Sequence, residues 1–414
     1  LLVPVTNALG SGGGIWCSNA RIVMTGGVSA TVGSDIAGNH ADDAGGGIRA
    51  ENCKINIATT RSDAATIFNN TASGPGGGIS VSGERALVAL YTLNPLAPTL
   101  LSNNVAGGVG GAIDIGSSAT VLAWDVILRN NISRSGGGAV SLFDNDASPD
   151  AAFAMRGDLT GAPNVSGSAE GVAVNCVLSL RCNRISFNSA VESGGTRRTG
   201  AAIRASTAGS DGIVYFRLYG TEVDDNTGEN LVEMTGGLIF GSLDGTALFG
   251  NNVSAELLHN PNSAQELQVV LSTIAGNTIG GAATFRGAAD FDATIFKNSI
   301  HWQPGKKIIS VVSGTATTAD FDFLLSNDLT GIPVSTHNLI ADPLFVDPAT
   351  QDFHLQLASP AIDYRTPIGT QTADHLPRLR DLASVANEFG AQDLGAYERQ
   401  FDCAADTVFC NGFE

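Results

Sequence analysis

One unit recurs through most of this chain, and it constrains the fold more tightly than any compositional figure. Its clearest copy runs from Thr66-Ile67-Phe68-Asn69-Asn70 to Gly76-Gly77-Gly78-Ile79: an apolar residue three places before an Asn, then a glycine-rich turn into an aliphatic strand. The asparagine half returns at Asn39, Asn104, Asn131, Asn188, Asn226, Asn252, Asn277 and Asn298. The glycine half returns as Gly12-Gly13-Gly14-Ile15, Gly45-Gly46-Gly47-Ile48, Gly110-Gly111-Ala112-Ile113, Gly137-Gly138-Ala139-Val140 and Gly200-Ala201-Ala202-Ile203. The closing aliphatic residues Ile15, Ile48, Ile79, Ile113 and Val140 lie 33, 31, 34 and 27 residues apart, a period that marks a solenoid. Within each unit the apolar runs are short and β-branched, as in Cys53-Lys54-Ile55-Asn56-Ile57, and periodic helical faces are scarce. The pattern predicts an all-β chain, a right-handed parallel β-helix of about 10–11 coils stacked about 4.8 Å apart.

Stacking explains the residue types. Asn tolerates the left-handed backbone of a sharp turn, and its amide can bond the same amide one coil away. Glycine supplies positive φ where backbones crowd. The asparagines Asn39, Asn70, Asn104, Asn131, Asn188, Asn226, Asn252, Asn277 and Asn298 are therefore read as a structural ladder and not as a catalytic set.

A hydrophobic content of 43% can fill a continuous core, so the 51 glycines among 414 residues signal turns and not disorder. A net charge of −18 with no basic stripe argues against nucleic acid or an anionic membrane as a partner. No run of about 20 apolar residues could span a bilayer. Six cysteines fall into three local pairs, Cys17 with Cys53, Cys176 with Cys182 and Cys403 with Cys410. Such pairing fits disulfides in an oxidising compartment better than zinc, because no CxxC or clustered His accompanies them. A secreted, extracellular or cell-surface setting follows as the expectation.

Along the chain, residues 1–337 read as coils, 338–398 as an irregular segment capping the C-terminal end of the core, and 399–414 as a disulfide-bearing tail. The coils are interrupted at 141–200, where Val140 and Ile203 are 63 residues apart. That stretch holds Asp144, Asp146, Arg181, Arg184, Arg197 and Arg198, and insertions on a solenoid often carry binding.

The Gly-Gly-Ala-Ile and Phe-x-x-Asn tetrapeptides resemble the repeats of polymorphic outer membrane protein passengers, over about residues 10–300. The coil lengths differ from that family's. The C-terminal segment Asp342-Pro343-Leu344-Phe345, Asp352-Phe353-His354-Leu355, Ser359-Pro360-Ala361-Ile362-Asp363 and Asp393-Leu394-Gly395-Ala396-Tyr397-Glu398 is similar to the ending of secreted right-handed β-helix proteins of the pectate-lyase-like superfamily. That resemblance implies the architecture and says little about activity. The tail Val408-Phe409-Cys410-Asn411-Gly412-Phe413-Glu414 is similar to a short ending on secreted proteins of some Gram-negative bacteria.

Two functional classes follow. A regular acidic rod suits an extracellular structural or adhesive role, with the rod stacking head-to-tail on copies of itself or holding an extracellular glycan. The enzymatic alternative is a polysaccharide lyase or glycoside hydrolase acting on an acidic glycan. A lyase needs a cation and a base, and a hydrolase needs two carboxyls about 5–9.5 Å apart. Asp144, Asp146, Arg197 and Arg198 are the candidate set, and an Asp-x-Asp loop also suits Ca²⁺. Asp224-Asp225 and the six histidines read as turn and packing residues, since they lack metal-ligand spacing.

Overall fold

The computed structural model describes residues 10, 12–25, 35–59, 66–92, 99–145, 151–156, 183–208, 212–262, 264–288, 294–311, 320–364 and 393–397. They form a parallel β-solenoid. A representative turn holds four short strands, Ile113–Ile115, Thr120–Trp124, Val126–Arg129 and Ile132–Ser133. The first strands of successive turns make a ten-stranded sheet, the second and third a 19-stranded sheet, and the fourth an eight-stranded sheet. Among the described residues there are eight complete turns where ten or eleven were expected, followed by two rungs that lack the fourth strand.

Register follows from the period-2 pleat. Ile15, Ile48, Ile79, Ile113, Val140, Ile203, Val232, Leu258 and Phe285 lie directly over one another and point inward. Like stacks on like, so each rung fills the hole left by its neighbour. Phe153 stacks on Phe216, and the next rung offers Gly241, where a Cβ would lie 2.3 Å from the Phe216 ring. Among the described residues Cys17 and Cys53 form a disulfide that ties the first rung to the second. Cys176, Cys182, Cys403 and Cys410 lie outside the described residues.

The asparagine ladder is continuous from Asn39 through Asn70, Asn104, Asn131, Asn188, Asn226 and Asn251 to Asn277. Each Oδ1 after the first accepts two hydrogen bonds from the preceding rung, one from its backbone N–H and one from its Nδ2, at 2.9–3.1 Å. From Asn70 onward the second Nδ2 proton goes to a backbone carbonyl, as from Asn104 to Ile67 at 2.8 Å. With its amide turned to match, Gln303 accepts from Asn277 in the same way and extends the ladder by one rung.

Two expected members do not belong to it. The left-handed backbone and the ladder bond fall on adjacent residues: Asn69, Asn103 and Asn130 take φ of 55–56°, and the Asn that follows makes the bond. At the seventh copy Gly250 takes the left-handed place (φ 64°), so Asn251 is the rung and Asn252 points outward. Asn298 (φ 54°) instead turns the corner between second and third strands, where Asp125 and Leu271 sit in other turns.

The C-terminal segment was expected to close the end of the core. Its strand Leu339–Ile340 adds to the last strand of the 19-stranded sheet, Asp320–Ser326, and the described residues after it pack back along the flank. The outer sides of Phe249, Ala275, Ile300 and Leu325 form a second apolar cluster with Phe353 and Leu394. The Ala396 N–H donates to Thr273 Oγ1 (2.8 Å), and the Gly395 N–H donates to the Asn298 carbonyl (3.0 Å). Leu329 and Ile332, ahead of this segment, pack against the main core.

The ladder makes a sharp contrast testable. Asn251→Ala orphans buried backbone and side-chain groups on both neighbouring rungs and is expected to cost about 2–4 kcal/mol, whereas Asn252→Ala stays within about 1 kcal/mol. Denaturant unfolding of the two variants reads the difference, and equal losses would contradict the assignment.

Candidate functional site

The candidate set from the interrupted region is not brought together. Asp144 ends the strand Val140–Asp144, fully buried, with its Oδ2 accepting the Ile213 N–H at 3.0 Å. It pairs with Thr207 at the far end of the strand Ile203–Thr207, and Arg197 and Arg198 precede the start of that strand. Four residues of extended chain alone separate those ends by about 13 Å. Arg197 donates to the carbonyl and Oδ1 of Asn252 (3.1 and 3.0 Å), and Arg198 pairs with Glu192. Asp146 lies outside the described residues.

A different line of chemistry emerges on the outer face of the ten-stranded sheet. The residue after each closing aliphatic falls into one outward column: Arg49, Ser80, Asp114, Ser141, Arg204, Glu233, His259 and Arg286. Arg49 donates to Glu51 through Nε and Nη2 (3.2 and 3.1 Å) and to Ser80 Oγ through Nη1 (2.5 Å), and Ser80 donates to Asp114 Oδ2 (3.2 Å). His259 Nδ1 meets Glu233 Oε2 at 2.7 Å, and this bond raises the imidazole above its ordinary range. A groove of about 440 Å³ opens over the middle of the column, lined by Asp114, Ser141, Arg204, Phe143, Thr207 and Thr235 among others. Asp114 is 8% exposed, and burial carries its carboxyl from 3.8 up to about 7 against the pull of Ser80 and Arg49.

The column was legible in principle. Ile48-Arg49, Ile79-Ser80, Ile113-Asp114, Val140-Ser141 and Ile203-Arg204 each place a polar residue directly after the repeat's closing aliphatic.

A second polar cluster sits under the C-terminal segment. Arg184 grips Asp224 with Nε and Nη2 (2.7 and 2.6 Å), and the Tyr397 hydroxyl donates to Glu222 Oε1 at 3.0 Å. Burial carries Glu222 up to about 7. Gln351 donates to Asp225 Oδ1 (3.1 Å), so Asp224-Asp225 belong to the seam that holds this segment down. Two adjacent buried carboxyls and a cation resemble a catalytic set, but Tyr397 fills the space a substrate would need.

The described histidines are engaged locally. His40 bonds Thr71, His337 and His354 bond Asp322 and Asp352, and interior His301 lies between Thr284 and Ser326, where burial lowers it to about 4. His375 lies outside the described residues. Among the described residues no group of three His, Cys, Asp or Glu could hold a metal ion. No described helix is long and apolar enough to cross a membrane.

Two outcomes test this geometry. Removing Arg184 leaves Asp224 and Glu222 buried without their cation, so Arg184→Ala should cost about 3–5 kcal/mol and make the C-terminal segment more sensitive to protease. The second concerns Asp114. An acid whose folded pKa is raised stabilises fully below its unfolded value and loses that contribution as pH rises through the folded one, here from 3.8 to about 7. Asp114→Asn should therefore match the parent near pH 4 and exceed it by about 2–4 kcal/mol near pH 8, read by denaturant midpoints. No protein-family model, curated protein or solved structure matches this chain.

Proposed function

We propose that this chain is an extracellular adhesive rod that holds an extended, carboxylate-bearing glycan along the groove of its ten-stranded sheet. One observation carries the reading: on a chain of net charge −18, three arginines, Arg49, Arg204 and Arg286, recur in a single outward column, with Ser80, Asp114 and Ser141 between the first two and Glu233 and His259 between the last two. Rungs repeat about every 4.8 Å, so such a column offers cations four and three rungs apart, about 19 and 14 Å, to a linear polymer lying along the axis. Phe143, 38% exposed at the groove, supplies an apolar face for a sugar ring. The parallel solenoid, the repeat and the Cys17–Cys53 disulfide support a secreted right-handed β-helix. Largely exposed Trp16 and Val23 on the first described rung suit end-to-end contact between rods.

A hydrolase fits less well. Among the described residues the carboxyls nearest Asp114 in that face's outward columns are Glu51, two rungs away, and Glu233, three rungs away, about 10 and 14 Å along the axis. Both separations exceed the range for a carboxyl pair that cleaves a glycosidic bond. One observation favours a lyase as the second reading: His259, oriented by Glu233 and next to Arg286 in the column, could accept a proton beside a neutralised carboxylate.

Binding to immobilised polygalacturonate, with neutral dextran as control, tests the proposal. The acidic polymer should bind, salt should weaken it, and Arg204→Ala should lower affinity about tenfold or more. Equal binding to dextran, or none to either polymer, would overturn it. Ultraviolet-absorbing unsaturated products in the same mixture would move the reading to the lyase.

A further inference from the structure

We propose that Asp114 is a proton gate on this groove: with its carboxyl protonated the groove admits a carboxylate-bearing polymer, and with it ionised the groove turns that polymer away. This rests on the groove's being a site for acidic glycans, and it gives that site a regulator.

Asp114 stands mid-strand in Ile113–Ile115 at the groove floor, with Ser80 on one adjoining rung and Ser141 on the other. The charged groups that act on it are Arg49 and Arg204, each one rung beyond those serines. The other groove residues, Pro75, Val109, Gly116, Phe143, Ser206, Thr207, Thr235 and Gly236, carry no charge. Arg49 is already held by Glu51, so its charge is largely balanced. Arg204 is the cation left to meet a ligand, and an ionised Asp114 would offset it from below.

Counting charges around the floor gives the switch. With Asp114 and His259 both protonated, Arg49 balances Glu51, His259 balances Glu233 on the rung next to Arg204, and Arg204 leaves one net positive charge. With Asp114 ionised they leave none, and a carboxylate entering the groove faces another at close range, where little water screens it. Burial holds the Asp114 proton up to about 7, so the change falls near neutrality and not in acid. The coupling is reciprocal: a bound polymer carboxylate stabilises the proton on Asp114, so binding above neutrality takes up a proton from solution.

The test is titration calorimetry with oligogalacturonate at about pH 5.5, 7 and 8.5, repeated in buffers of different ionisation enthalpy to count protons. Above neutrality the parent protein should lose affinity about tenfold per pH unit, and it should take up close to one proton per site. Asp114→Asn, checked for native circular dichroism, should bind at about pH 8.5 as tightly as at about pH 5.5, with no proton uptake. Arg204→Ala should weaken binding at every pH and keep the slope. A parent protein that binds equally well from about pH 5.5 to 8.5, or a slope that survives in Asp114→Asn, overturns the gate and leaves the glycan reading standing. No binding by the parent at any pH overturns both.

Discussion

Everything in this molecule depends on keeping each rung in register with the next, and the buried asparagine ladder does most to hold that register. A parallel pair of strands could slip by two residues without turning its side chains to the wrong face, so alternation alone specifies register weakly. A ladder amide removes the freedom. Along the middle of the ladder both Nδ2 protons and the Oδ1 are engaged inside the core, and a slipped rung would leave several buried polar groups without partners. The cost of one misplaced rung is then larger than any apolar contact it could gain.

The groove is a consequence of this register. Once the closing aliphatics lie over one another, the residue after each must also align, on the outer face. The repeat is thus free to vary that one position without disturbing the core. It does so with Arg, Ser, Asp, Glu and His in a chain that otherwise reuses aliphatics and glycine. Two buried carboxyl environments show how differently the fold treats such groups. Asp224 has a guanidinium locked onto it and serves the seam beneath the C-terminal segment. Asp114 has only hydroxyls next to it, with its cations one rung further off, so its proton stays near neutrality at the edge of an open groove.

The solenoid was readable from the sequence because a one-dimensional repeat writes its contacts at a fixed spacing. The errors arose where two residues met the same rule. Phe249 and Leu248 both stand three places before an Asn, and only the left-handed preference of Gly250 decides between Asn251 and Asn252. The path of the C-terminal segment beyond Leu339–Ile340 was hidden for a different reason: its partners are far away in sequence. A clue existed. Ala247-Leu248-Phe249 and Thr273-Ile274-Ala275 are buried on both sides, whereas Val126–Arg129 alternates between inside and out, so the outer flank of the later turns had to be covered. The polar column escaped because each member is unremarkable alone. It acquires meaning only when eight strands are laid side by side.

Covering that flank with the chain's own end also separates two roles that a solenoid would otherwise mix. The third-strand face of the later turns is apolar and buries its one charged cluster under Tyr397, so it serves stability. The ten-stranded face keeps its charges at the floor of a groove, with Glu51 and Glu233 paired to Arg49 and His259 and with Arg204 at the groove wall. A face built only for packing would not place an acid with a near-neutral proton beneath a groove, because an asparagine there would hold the same bonds at less cost above neutrality. On the glycan-binding proposal, the stability that Asp114 gives up as pH rises is the counterpart of its role as the groove's gate.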